Sequence, residues 1–227
     1  MVRKTAVGFG LLVGLSAGLI AQVPGASSQP RLAAGLQVGY NSGLGVEVHG
    51  LVADFAEGFP FQVRLGIRRT AVEPGVALDA RRIFINNNTN GIPEESGRTW
   101  NFRLDFLYPA QVLSLRKAYF FGGVRHASFT GNFNFVGGNE DFDISSNHWG
   151  FGGGLESHFG VGSQVDMVIT TGVEYFASST LSGHDTAYSP DGDSVNPRED
   201  YTYADADAAI GQPKFAPLIM FGFLYHF

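Results

Sequence analysis

The chain has 227 residues, enough for one domain of ordinary size, with a formal net charge of −6 and only 16% charged residues. Cysteine is absent, which excludes a thiolate metal site, a disulfide framework and a cysteine nucleophile. The acidic balance argues against a nucleic-acid binder that works by phosphate neutralisation. The 31 Gly and 20 Phe point to strands and tight turns rather than helices.

The first element in chain order is a targeting segment. Arg3 and Lys4 supply a positive start, Ala6 to Ala21 is apolar and rich in small residues, and Gln22 onward turns polar. This pattern reads as a secretory signal peptide over 1–28, cleaved at about 21–28, ahead of a single domain over 29–227. The apolar run is short and Gly-rich for a spanning helix, which needs about 20 residues.

After about residue 30 no helical period of useful length is found, and strict alternation takes its place. It marks eight segments, near 32–41, 45–55, 60–71, 98–108, 117–135, 146–160, 164–177 and 214–227. In 98–108, Trp100, Phe102, Leu104, Phe106 and Tyr108 share one face, and Asn101, Arg103 and Asp105 the other. Phe61, Val63, Leu65 and Ile67 likewise oppose Gln62, Arg64, Gly66 and Arg68. The links at 72–97, 136–145 and 178–213 are long, and those at 56–59, 109–116 and 161–163 are short or moderate. Residues 42–44 are a short link at the end where long ones gather. Such alternation of link length is expected of an up-and-down barrel with short turns at one end and loops at the other.

Alternation alone does not say which face is outside. Large aromatics and aliphatics dominate one face, whereas the other mixes Gly with Arg, Glu, Asp and His, so a core built from it would bury charge. Aromatics collect at segment ends, at Tyr40, Trp100, Tyr108, Trp149, Phe159 and Tyr175, where interfacial girdles sit. Both features favour an apolar exterior, hence a membrane barrel rather than a soluble sandwich.

The final segment alternates Phe215, Ile219, Phe221, Phe223, Tyr225 and Phe227. This resembles the C-terminal assembly signal of bacterial outer-membrane β-barrels, carried here by Phe221, Phe223, Tyr225 and Phe227. The wider pattern resembles small eight-stranded barrels: the membrane domain of OmpA, OmpX and the OmpW group. The resemblance implies an all-β, eight-stranded antiparallel up-and-down transmembrane β-barrel in the bacterial outer membrane. It implies outer-membrane lipids and the barrel assembly machinery as partners. A peptidoglycan-binding domain after Phe227 is not expected.

An eight-stranded barrel is just wide enough to be filled by side chains. Arg64, Arg103 and Arg125 are expected to form a lumen network with Glu47, Asp105, Glu156 and Glu174, a structural rather than catalytic arrangement. The resulting expectation is a plugged barrel with a structural or surface-interaction role. The alternative is a narrow channel for small solutes, as the OmpW resemblance allows. In 117–135, Phe120, Val124 and His126 share one parity and Phe129, Phe133 and Phe135 the other. Either a bulge near 127–130 reconciles them, or the upper part has left the membrane and meets water on both sides.

The remaining chemical signals are weak. His126-Ala127-Ser128, with Glu140 beyond, faintly resembles the His-x-Ser of outer-membrane lipid A deacylases, but Phe129 stands where that family carries Asn. No enzyme activity, catalytic residue, cofactor or resident metal is expected. The acidic residues of 139–143 and 178–213, with a partial calcium-loop sequence at 189–194, make calcium a candidate partner of the outer loops. Residues 86–91 and 93–97 are turn formers and read as a protruding hairpin or loop.

Overall fold

Successive residues of a strand face opposite sides of its sheet, so an alternating sequence decides which side chains line each face. The computed structural model describes residues 29–112 and 115–227, and in it the alternating segments close into a ring. The expected signal peptide, 1–28, lies outside the described residues. The wall is built from β1 (Arg31–Asn41), β2 (Gly43–Ala53), β3 (Gln62–Val72), β4 (Ile92–Val112), β5 (Leu115–Val136), β6 (Asp141–Gly160), β7 (Val165–Phe176) and β10 (Phe215–His226). Each pairs antiparallel with its neighbour in sequence, β7 pairs with β10, and β10 closes on β1 from Ala33↔His226 to Asn41↔Leu218. Among the described residues this is a closed eight-stranded antiparallel barrel.

Strand length divides the wall. β1, β2 and β3 have 11 residues each and β7 and β10 have 12, close to the roughly 9–11 residues that cross a bilayer. β4, β5 and β6 have 21, 22 and 20 residues, so they rise well above the rest. The link read as 136–145 is therefore a tight turn between Val136 and Asp141 rather than a long loop. At the same end β1 and β2 are joined through Ser42 alone, in a left-handed conformation at φ 56°.

The lipid-compatible exterior is continuous. Leu36, Val48, Leu65, Phe102, Phe151 and Phe221 all point outward and are exposed. Aromatics close its lower edge, where Phe61 meets Phe59 and Tyr108, each at 5.5 Å between ring centroids. No described helix is long and apolar enough to cross a membrane.

The two long upper links carry structure that the alternation did not reveal. The first forms α1 (Ala77–Phe84), and the second forms the hairpin β8 (Leu181–Gly183) and β9 (Thr186–Tyr188) followed by α2 (Tyr203–Ala209). Two helices thus stand where no helical period was expected; at 8 and 7 residues they are too short to establish one. The α2 start is fixed by Thr202 and Asp205, which cap each other's backbone N–H groups. β8 pairs with β6 at Ile144 and Ser145, above the stretch of β6 that pairs with β7. The extra hairpin extends the cap and adds nothing to the barrel ring.

These pieces cap the upper mouth around an apolar core. Ala80, Ile83 and Phe84 of α1, Ala206 and Ala209 of α2, and Leu181 and Tyr188 pack on Phe129, Phe133, Phe135, Phe142 and Ile144. The parity puzzle in β5 is resolved without a bulge. Pairing with β4 and β6 runs unbroken through Ala127 to Thr130, with the only irregularity near Ala110 and Val112. Phe129, Phe133 and Phe135 share the inward face with Arg125. The upper strands have left the lipid belt, since Asn132 faces outward and donates to Asp141 and Asp143 at 2.9 Å each. Their inner face is packed with apolar side chains rather than open to water.

Candidate functional site: a charged lumen under an apolar cap

Inward positions of six consecutive strands bring one cluster of charge together. β2 supplies Glu47, β3 Arg64 and Arg68, β4 Arg103 and Asp105, β5 Arg125, β6 Glu156 and β7 Glu174. All are buried, and four guanidinium groups face four carboxylates. Taking such charges out of water is costly unless each is paired and hydrogen-bonded.

Asp105 is the hub. Its Oδ2 accepts from Arg64 Nη2 at 2.9 Å and from Arg103 Nε at 2.7 Å, and its Oδ1 accepts from Arg125 Nη1 at 2.6 Å. Arg103 also reaches Glu47, with Nη1 at 3.1 and 2.9 Å from the two carboxylate oxygens. Arg125 Nε donates to Glu174 at 2.7 Å, and Arg64 Nη1 donates to Glu156. Glu156 accepts further from Thr170 at 2.8 Å and contacts His158 Nε2 at 2.8 Å. Arg64 and Arg103 lie over the ring of Phe121 at 5.1 and 5.3 Å, which adds a cation–π contact. All seven network residues named from the sequence therefore meet in one lumen.

The sequence reading placed Arg68 on the polar face but outside the network. Arg68 in fact bridges Glu47, at 3.3 Å, to Glu174 and to Asn41 Oδ1, at 2.9 Å. Parity identifies an inward residue but not its partners across the barrel. Glycine makes the room these side chains need. A Cβ on Gly66 would stand 3.0 Å from Arg103 Cγ, and one on Gly152 would stand 2.9 Å from Arg125 Nη2. The lumen is not charged all round, since β7 and β10 turn Val168, Leu218, Met220 and Leu224 inward. At the lower mouth Asp166 accepts from Lys117 at 3.0 Å and meets His226 at 3.0 Å.

At the upper end Arg81 of α1 fastens the cap. Its Nη1 donates to the Asn90 carbonyl at 2.7 Å, its Nη2 donates to Glu140, and its guanidinium sits 4.3 Å over the Phe135 ring. Hydrogen bonds from Arg81 and then Asn86 hold the Glu140 carboxyl at about 2, below its ordinary 4.5. Between cap and rim lies a cavity of about 260 Å³ lined in part by Asn101, Thr99, Gln212 and Lys214.

The other sequence signals separate in space. His126 and Ser128 face outward, and the His126 ring packs against Trp149 at 4.8 Å. Glu140 sits at the top of the β5–β6 turn, its carbonyl accepting from Phe135 N, seven residues and roughly 23 Å up the strand from Ser128. Several acidic side chains of 178–213 have local uses. Asp191 accepts from Ser189 Oγ and Asp193 N, Asp205 caps α2, and Asp207 pairs with Lys214 at 3.0 Å. Among the described residues, no three His, Asp or Glu side chains are grouped to hold a metal ion. The residues 86–91 close the turn after α1 through Asn side chains that accept from backbone two residues on. Residues 93–97 belong to β4. Phe221, Phe223, Tyr225 and Phe227 all lie exposed on the outer side of the final segment.

An exterior belt of apolar side chains, a buried polar lumen and a closed meander define the class: this is the fold of a small outer-membrane β-barrel. The crystal structure of a major outer membrane protein from Thermus thermophilus is similar over 88% of this chain and 100% of that one, with a TM-score of 0.71 and 22% identity. Neisserial surface protein A (10% identity, 87% of this chain, 96% of that one) and CarO2 of Acinetobacter baumannii (14%, 88% and 100%) give TM-scores of 0.40 and 0.43. No family model and no curated protein sequence matches the chain.

Proposed function

We propose that this protein is a structural barrel of the bacterial outer membrane, sealed through its lumen, whose cap presents the surface that meets partners outside the cell. The observation that carries this reading is the complete burial of Arg64, Arg68, Arg125, Glu47, Asp105 and Glu174 in a mutually neutralising cluster across the lumen. A conducting pore keeps its charges hydrated, whereas these are spent on one another. The cap supports the same reading, because its apolar core covers the upper mouth. The outward row Phe221, Phe223, Tyr225 and Phe227 is the surface that barrel assembly machinery would read during insertion. No reaction is assigned, since His126, Ser128 and Glu140 do not converge.

Single-channel recording of the refolded protein in planar bilayers tests the proposal. Folded protein should give a tight seal without sustained steps. Reproducible steps of fixed size would replace the sealed barrel with the small-solute channel.

A further inference from the structure

The outer wall carries a feature that neither the lumen nor the cap uses. A shallow apolar groove of about 750 Å³ crosses the lipid-facing side from β1 to β6. Its floor is low where Ala34 and Gly50 stand opposite each other and face outward, and a Cβ on Gly50 would meet nothing within 4 Å. Leu65, Phe102 and Leu104 border it, and it ends upward at His126 and Trp149.

Beside that upper end the wall presents two arginines to the outside. Arg69 stands opposite Trp100 and Arg98 opposite Ala71, so the two are diagonal neighbours on β3 and β4, and both are exposed. Neither side chain has a hydrogen-bond or ion-pair partner among the described residues, unlike those of Arg64, Arg68, Arg81, Arg103 and Arg125. Two like charges held side by side at the edge of a low-dielectric belt repel each other, and an anion between them relieves that repulsion. Guanidinium forks match phosphate oxygens in pairs. The groove beside them leads down into the belt, where an acyl chain has apolar walls to cover.

We infer that this face binds an anionic, phosphate-bearing membrane lipid, with the headgroup phosphate between Arg69 and Arg98 and an acyl chain lying over Gly50. A soluble phosphate compound would leave the groove uncovered. A second copy of this chain seated on the same face would bring arginine against arginine. The inference rests on the barrel spanning a membrane and not on whether its lumen conducts, so a conductance result leaves it standing.

Native mass spectrometry of the folded barrel tests it, with phosphatidylglycerol and phosphatidylcholine of matched acyl chains as probes. The net charge of −6 opposes unspecific attraction of an anionic lipid, so a preference must come from a local site. The expected result is about tenfold stronger retention of phosphatidylglycerol. Arg69→Gln with Arg98→Gln should abolish the preference, and Gly50→Phe should weaken retention of both lipids. Arg69→Lys with Arg98→Lys, which keeps the charge and loses the fork, should fall between. Each variant is first shown to keep the compact mobility of the folded barrel on unheated gels; should the double Gln variant fail that check, the double Lys variant carries the comparison. Equal retention of the two lipids by the native chain overturns the inference. So does a preference that survives both double variants, or a lipid-free dimer that Gly50→Phe dissolves.

Discussion

One strand obeys opposite rules in its two halves. The lower half of β5 hides Arg125 and turns Phe120 and Val124 outward, whereas the upper half hides Phe129, Phe133 and Phe135 and turns Asn132 toward Asp141 and Asp143. The backbone is the same and the pairing is unbroken. What changes is the solvent beyond the wall. Hydrocarbon outside favours an apolar exterior and leaves charge to the lumen, while water outside restores the ordinary apolar interior of a soluble domain. The protein therefore joins an inverted core to a conventional one within a single ladder of hydrogen bonds.

The comparison can be broken from either side. The largest effect is expected in the lower half, where Arg103→Ala leaves Glu47 and Asp105 short of a partner. Removing one member of a buried pair costs about 3–5 kcal/mol, so the temperature at which the barrel loses its compact gel mobility should fall clearly. Unchanged melting would remove the network as a brace. In the upper half, Phe133→Ala should cost about 3 kcal/mol by cavity formation. Hydrogen exchange should report that loss in α1, α2 and the tops of β5 and β6, with barrel melting nearly unmoved. Equal loss in both halves would mean that the two cores unfold as one.

A smaller effect should come from acid. Because Glu140 is held at about 2 against an ordinary 4.5, its contribution to the cap is full above that ordinary value and is lost as pH falls through the range down to about 2. Exchange in the cap should therefore quicken on acidification, and Arg81→Ala should remove most of that dependence. The smallest effect is expected of Ser128→Ala on the outer face, within about 0.5 kcal/mol and without change in lipid acylation. Altered acyl content would reopen the question of chemistry at that site.

The barrel was legible because its signal has the shortest of periods. Trp100 to Tyr108 announce their faces within nine residues, and the same parity places Glu47, Arg64, Arg103 and Glu174 in the lumen. The cap was not legible for two physical reasons. Helices of two turns leave too few repeats, although Ala77, Ala80, Ile83 and Phe84 do fall on one face of α1 and Thr202 with Asp205 does mark the start of α2. The change of solvent along β5 also mimics a change of register, because exchanging what lies outside has the same sequence signature as inserting one residue. Arg68 was missed as a network member because its partners Glu47, Asn41 and Glu174 belong to three other strands. Pairing between strands, whether beside or across the barrel, leaves no trace in local order.

Asp105 gathers arginines from β3, β4 and β5 onto one carboxylate. A slip of β4 by a single residue would turn Asp105 and Arg103 toward hydrocarbon and leave Arg64 and Arg125 each with one carboxylate, Glu156 and Glu174, instead of two. Each arginine facing lipid near the bilayer midplane costs about 2–4 kcal/mol. The cluster should thus act as a proofreader of assembly, because a wall closed in the wrong register would forfeit these pairs. Refolding of Asp105→Asn, followed by the fraction of chains that reach the compact form, measures how much fidelity that single carboxylate confers.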